Sequence, residues 1–192
     1  MVDRLLSKKI SFGIVFAFLV WQMPLLALPS QVMIIRHGEK PEEGHGLSLK
    51  GRERAEALAP FFSGNAEFLK YGLPVAIYAQ KVTPANPSKR PMQTVTPLAQ
   101  ALHLNIQAEY EHAEYAKMVE AIKTNPAYQG KNVLICWEHH VIPEMAQVFG
   151  VKKAPEKWDG ETFDRVWLIE FAPEKEASFK NVAQRLLFED SP

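Results

Sequence analysis

Val32-Met33-Ile34-Ile35-Arg36-His37-Gly38-Glu39-Lys40 is an apolar, largely β-branched run that ends abruptly in a guanidinium, an imidazole and a glycine. Four such residues bounded by a turn signal read as a buried strand. The strand delivers Arg36 and His37 side by side into a turn, which is a place for chemistry on an anion. Arginine offers a rigid fork of N–H donors matched to phosphate oxygens, and histidine can carry a proton, ligate a metal or attack as a nucleophile. Gly38 allows a sharp turn and a close approach to the backbone. A tripeptide of this kind recurs by chance, so its meaning rests on its surroundings.

Outward from that strand the pattern repeats. Residues 75–79, 133–137 and 166–171 are further short apolar runs of strand character. Ser48 is placed to cap a helix running through Arg52, Ala55, Leu58 and Phe61, and Pro91 sits where a first helical turn tolerates it, ahead of Val95, Leu98 and Leu102. Residues 115–122 and 142–148 read as two more helices, the second opening next to Pro143 and stopping at Gly150. Strands separated by helices predict a three-layer α/β/α domain with a mostly parallel central sheet. Ligands of such sheets bind beyond the carboxyl ends of the strands. Arg36-His37 lies at one such end and Glu138-His139-His140 at another, so the two segments are expected to meet at one sheet edge. Residues 41–47, with Gly44 and Gly46 around His45, are placed to form a small lid, and the proline-rich stretch 81–91 should fix where Arg90 enters its helix.

Composition narrows the class. The chain has 192 residues, 47% hydrophobic and 23% charged, which fits one globular domain. Lys+Arg and Asp+Glu both number 22, so no basic excess points to nucleic acid. Cys136 is the only cysteine, which excludes an internal disulfide and a thiolate cluster, and its apolar setting reads as a buried, inert thiol.

The first thirty residues read separately. Arg4, Lys8 and Lys9 precede an uncharged stretch over residues 10–28, the layout of a secretory signal. The stretch is also close to the roughly 20 residues a membrane helix requires, so an uncleaved anchor is the alternative. Pro24 and Pro29 favour the signal. Both readings send the remainder across the membrane, to the periplasm or the medium, or anchored to the inner membrane facing outward. A buried N-terminal helix of a cytosolic protein would show a polar face, which this segment lacks. The expected organisation is therefore 1–30 as export segment or anchor and 31–192 as the catalytic domain, which has a net charge of −2.

The residues beyond the strand end extend the pattern into a resemblance. Arg36-His37-Gly38 after a first strand, Leu47-Ser48-Leu49-Lys50-Gly51 opening the first helix, Arg90 with Thr94 four residues on, and His139 after an apolar strand resemble, in order, the motifs of the histidine phosphatase (phosphoglycerate mutase-like) superfamily. The resemblance spans about residues 32–150, and residues 158–171 look like the closing strand of small bacterial members. It implies a phosphatase with His37 as nucleophile and Arg36, Arg90 and His139 as phosphate ligands. Two departures stand out: the usual glycine after the second histidine is His140 here, and no unmistakable general acid appears. A glutamate between Arg90 and the next strand supplies it in many members, which makes Glu109, Glu111 and Glu114 candidates, Glu111 and Glu114 foremost. In another branch the acid follows the second histidine directly, which makes His140 a candidate.

The chemistry of such a set is consistent. A phosphate monoester resists attack because its oxygens repel a nucleophile. Arg36, Arg90 and a protonated His139 would neutralise them with charge-assisted hydrogen bonds worth about 1.5–3 kcal/mol each. Neutral His37 would then form a phosphohistidine that water cleaves, with its other ring nitrogen donating to a backbone carbonyl such as that of Gly38. The scheme calls for no cofactor, and the sequence shows no obvious Asp/Glu/Cys cluster at metal-ligand spacing. Expected partners are a phosphorylated small molecule or a phosphoprotein, no nucleic acid, and a membrane only through residues 1–30. A mutase would need longer insertions to close its pocket, and a phospho-ligand binding module without turnover is the competing class. Each glutamate also has a plain reading as a helix-start charge, and Glu39 and Lys40 as an exposed ion pair. Substrate choice is expected to lie in residues 41–47, 81–87 and 103–114.

Overall fold

The computed structural model describes residues 28–173 and 175–191, so the expected export segment falls almost wholly outside the described residues. Among the described residues no helix is long and apolar enough to cross a membrane.

Strand β1 (Gln31–Arg36) is buried along its whole length. It lies inside a six-stranded sheet, between β4 (Asn132–Trp137), to which it is parallel, and β5 (Arg165–Glu170), to which it is antiparallel. β2 (Pro74–Ala79) and β3 (Ile106–Gln107) continue the parallel part, and β6 (Ser178–Ala183) pairs antiparallel with β5, giving the order β3-β2-β4-β1-β5-β6. The mostly parallel sheet expected from the sequence is present. Burial on both faces explains why β1 and β4 read as continuous apolar runs.

Alternation along each strand sends side chains to opposite faces. Met33, Ile35, Leu134 and Cys136 pack beneath α1 (Leu49–Gly64) and α2 (Arg90–Ala101). Val32, Ile34, Val133 and Ile135 pack against α3 (Tyr115–Thr124) and α4 (Ile142–Val148). The start signals behave as read: Ser48 Oγ accepts from Gly51 N at 3.0 Å, Pro91 lies in the first turn of α2, and Gly150 follows α4 with φ +97°. Cys136 is buried and its thiol is pushed up by burial.

Two strands escaped the sequence reading. β3 has two residues, and β6 is a half-exposed edge strand carrying Lys180 and Asn181, the polar character by which edges avoid further pairing. The direction of β5 matters for function. A parallel return would need another full crossover; instead α4 and the following loop bring the chain back to the carboxyl edge of the parallel strands, and β5 enters there opposite Ile35 through Val166. The loop before β5 is thereby laid beside Arg36.

Candidate active site

His37 directly follows β1, and its backbone N–H still donates to the Trp137 carbonyl at 3.2 Å, so the ring is held at the seam between β1 and β4. The side chain is 4% exposed. Its Nδ1 lies 2.8 Å from the Gly38 carbonyl oxygen, which fixes the proton on Nδ1 and leaves the lone pair on Nε2. Burial, reinforced by the Arg36 and Arg90 charges and opposed by the Gly38 carbonyl, lowers the imidazole to about 4. The ring is neutral across the physiological range, as a nucleophile must be.

Arg36, also buried, is anchored by one nitrogen. Nη1 donates to the carbonyls of Gly160 (2.5 Å) and Thr162 (3.1 Å), with that of Asp159 at 3.5 Å, and the guanidinium stacks 3.8 Å above the Phe163 ring. Trp158 braces the same loop by donating from Nε1 to the Thr162 carbonyl at 2.8 Å. Arg36 Nε is buried without a partner. Burial lowers the guanidinium to about 10, against the attraction of Glu138, Glu161, Asp159 and Glu39, so it keeps its charge at neutral pH. The edge bearing Nε is the one that can take two oxygens of an oxyanion.

Arg90 opens α2, and its position is tied to the His37 turn: Gly38 N donates to Thr94 Oγ1 at 2.8 Å, and Thr94 Oγ1 donates to the Arg90 carbonyl at 2.7 Å. The Arg90 guanidinium holds the 41–47 loop, donating from Nη2 to the Gly44 carbonyl (2.7 Å) and from Nε to that of Gly46 (3.1 Å), while Lys89 N donates to the His45 carbonyl at 2.8 Å. The expected lid therefore rests on the second arginine.

His139 stands in a single 3-10 turn after β4, and a β-carbon added to Gly160 would come 3.7 Å from its Nε2. Gly160 is also the residue whose carbonyl anchors Arg36, so the two side chains meet there. Burial first, then Arg36, hold the His139 imidazole below its ordinary range, against Glu138. The shift runs against the protonated form expected from the sequence.

The structure brings Arg36, His37, Arg90 and His139 to one edge, and the partners of the expected acids are local ones. Glu111 and Glu114 form a capping box: Glu114 Oε2 accepts from Glu111 N at 3.1 Å, and Glu114 Oε1 lies 2.8 Å from Lys117 Nζ. The pairing with Lys117 lowers the Glu114 carboxyl. Glu111 is exposed, 3.5 Å from Lys81 Nζ, and Glu109 is exposed too. Glu111 and Glu114 stand at the start of the 3-10 turn that leads into α3.

Glu138 is the carboxylate whose charge bears on Arg36, His37 and His139 together. Its Oε1 is 2.7 Å from His139 Nδ1, at ion-pair distance but not aligned for a hydrogen bond, and its Oε2 is 3.1 Å from His112 Nε2 and accepts from His140 N at 3.1 Å. Burial pushes this carboxyl up, but His112, His139 and His140 outweigh it and keep the group below the usual carboxylate range. Its charge also reaches His37. The strand-end argument that singled out His139 applies equally to Glu138, the first residue after β4. Phe163 carried no such signal, because nothing local says that a loop phenylalanine will lie under an arginine 127 positions away. Glu39, read as a partner of Lys40, instead faces inward to Arg54, whose Nη2 is 2.7 Å from its Oε1. Nor is the carboxyl edge free of metal-ligand geometry, since Glu138, His139 and His140 each place one donor atom within 4.8 Å of the others.

No protein-family model and no curated protein sequence matches the chain. Solved structures do. The protein histidine phosphatase SixA complexed with tungstate aligns with a TM-score of 0.58 at 15% identity, covering 80% of this chain and 97% of that one. A mycobacterial glucosyl-3-phosphoglycerate phosphatase in complex with VO3 gives 0.52 at 12% identity over 79% and 97%. Mycobacterial hydrolase 2 gives 0.51 at 12% identity over 79% and 88%. The chain therefore has the histidine phosphatase, phosphoglycerate mutase-like, fold.

Proposed function

We propose that this chain is a phosphomonoesterase that works without a metal, through a covalent phosphohistidine on His37. The observation that carries the reading is the pairing of a neutral, oriented nucleophile with a cation that keeps an unused donor edge: His37 Nδ1 at the Gly38 carbonyl, beside Arg36 with its Nε unpaired. Arg36, Arg90 and His139 clamp the non-bridging oxygens. His37 Nε2 attacks phosphorus in line, the N–P bond forms as the ester P–O bond breaks, and the departing oxygen takes a proton. Water then attacks phosphorus, gives up its proton and releases inorganic phosphate, and His37 recovers its lone pair. Proton traffic is assigned to Glu138 in place of Glu111 and Glu114.

The similar phosphatases are named for a protein histidine and for a glucosyl-3-phosphoglycerate. A phosphoprotein and a small phosphorylated molecule are accordingly the two substrate classes of the proposal. Arg90 must release or share the Gly44 and Gly46 carbonyls to bind phosphate, so substrate entry is coupled to the 41–47 lid. A second reading, a phospho-ligand binding module, is favoured by the direction of the Glu138 shift, which runs against a protonated carboxyl.

An activated aryl phosphate tests both. Turnover by the wild type that survives a chelator and disappears in His37→Ala is the expected result; tungstate binding with no turnover would leave only the binding module. Residues 1–30 are proposed to carry the domain to the periplasm or the medium, or to anchor it to the inner membrane facing outward. N-terminal sequencing should find a new start near residue 28 or 31, or an intact Met1 in the membrane fraction; an intact Met1 in the cytosol would overturn export.

A further inference from the structure

Three imidazoles surround the Glu138 carboxylate: His139 Nδ1 at 2.7 Å and His140 Nδ1 at 3.6 Å from Oε1, and His112 Nε2 at 3.1 Å from Oε2. A phosphate pocket needs one histidine here and has no use for the others. His140 is 65% exposed, with its ring edge-on to His139 at 4.0 Å, so the group opens to solvent at His140.

Geometry and ligand type agree on what this arrangement can hold. A tetrahedral ion with bonds of about 2.0–2.1 Å separates its donors by roughly 3.3 Å, and the two Nδ1 atoms stand at 2.7 and 3.6 Å from the carboxylate oxygen. Two imidazoles and a carboxylate suit a late first-row divalent ion; magnesium and calcium prefer oxygen throughout. Three consecutive residues supply the donors, and within the turn that carries them His140 N donates to Glu138 Oε2. His112 contacts the same carboxylate oxygen from another segment, as outer partners of metal-bound carboxylates do.

We propose that Glu138, His139 and His140 form a binding site for a divalent transition ion of the Zn²⁺ class at the rim of the phosphate pocket, with His112 orienting the carboxylate. Three protein donors leave a fourth position for water. An ion there occupies the Glu138 carboxylate and His139 Nδ1, so it competes with their part in turnover and inhibits; this consequence rests on the proposed function, whereas binding does not.

Zn²⁺ is titrated into the full chain, without a histidine tag, in competition with a chromophoric chelator and with no substrate present. The wild type should take up one equivalent. His140→Ala should weaken binding at least tenfold, and His112→Ala by about 10–100-fold, the usual effect of an outer partner. His103→Asn, which changes an exposed imidazole at a position of φ 53° that asparagine tolerates, should leave binding unchanged. Circular dichroism of each variant separates lost binding from lost fold. A wild type that takes no more Zn²⁺ than folded His140→Ala, or a His103→Asn variant that loses as much, would overturn the site. Neither outcome bears on phosphatase activity, and a failed phosphatase assay leaves this titration intact.

Discussion

His37 owes its proposed reactivity to what its neighbours do to each ring nitrogen. The Gly38 carbonyl takes the Nδ1 proton, while burial and two guanidiniums lower the ring to about 4. The nucleophile must be neutral, so acidification removes activity only when it reaches that value. For the free enzyme, kcat/KM for an activated aryl phosphate should hold from neutral pH down to about 5 and fall tenfold per unit below about 4; an acid limb near the ordinary imidazole value would mean a solvated His37. Glu138 is tested through the leaving group. Glu138→Gln should cost an alkyl phosphate about 10²–10⁴-fold in kcat, the range of general acid catalysis, and an activated aryl phosphate far less. Equal losses on both would remove Glu138 from proton transfer.

Among the elements, the contact between the His37 turn and α1 explains two glycines at once. A β-carbon on Gly38 would come within 2.9 Å of the Gly51 carbonyl oxygen, and one on Gly51 would run into the Glu39 backbone. Neither glycine has a positive φ. Gly38, read from the sequence as a turn residue, is thus required for space: the turn after β1 and the first turn of α1 meet backbone to backbone. Gly51→Ala should destabilise the fold by about 1–3 kcal/mol, the scale of overpacking, in urea unfolding, and should lower turnover because the displaced backbone lies two residues from His37. Unchanged values on both would show that the turn can yield. Elements with a buried face were legible, because a 2.0 or 3.6 repeat of apolar residues is written into the chain. β3 and β6 were not, since a two-residue strand has no period and an edge strand faces water.

Across the whole molecule, one buried cation ties the site to the far end of the chain. Arg54, 2% exposed, reaches Glu39 Oε1 at 2.7 Å and Asp190 Oδ1 at 2.6 Å from Nη2, and Gln184 Oε1 at 3.0 Å from Nη1. Removing the cation leaves two carboxylates uncompensated, so Arg54→Met should cost about 3–5 kcal/mol in chemical denaturation. Burial pushes the Asp190 carboxyl up, but Arg54 and the Leu186 and Leu187 N–H groups outweigh it and hold the group at about 2. A carboxyl lower in the folded than in the unfolded chain stabilises above the unfolded value, and that stability drains away as pH falls from about 4 towards 2. Asp190→Asn should flatten this acid limb; an unchanged limb would place the sensitivity in other carboxylates.

The same distance dependence limited how much of the site could be read from the sequence. Arg36, His37, Arg90 and His139 stand where strands end and a helix begins, which local pattern reveals. The loop 158–163 and the Glu138–His112 contact depend on β5 returning antiparallel and on the 103–114 segment folding back, and no local signal encodes either. Local pattern points instead to Glu111 and Glu114, the glutamates at a helix start.

The central claim is that phosphorus becomes bonded to His37. Acid-free quenching within the first turnovers of a ³²P-labelled phosphate ester, followed by peptide mapping of the full chain, tests it directly. Label that is stable to base, labile to acid, confined to the peptide containing His37 and absent from His37→Ala is the predicted result. Turnover without any trapped label, or label on another residue, would contradict it.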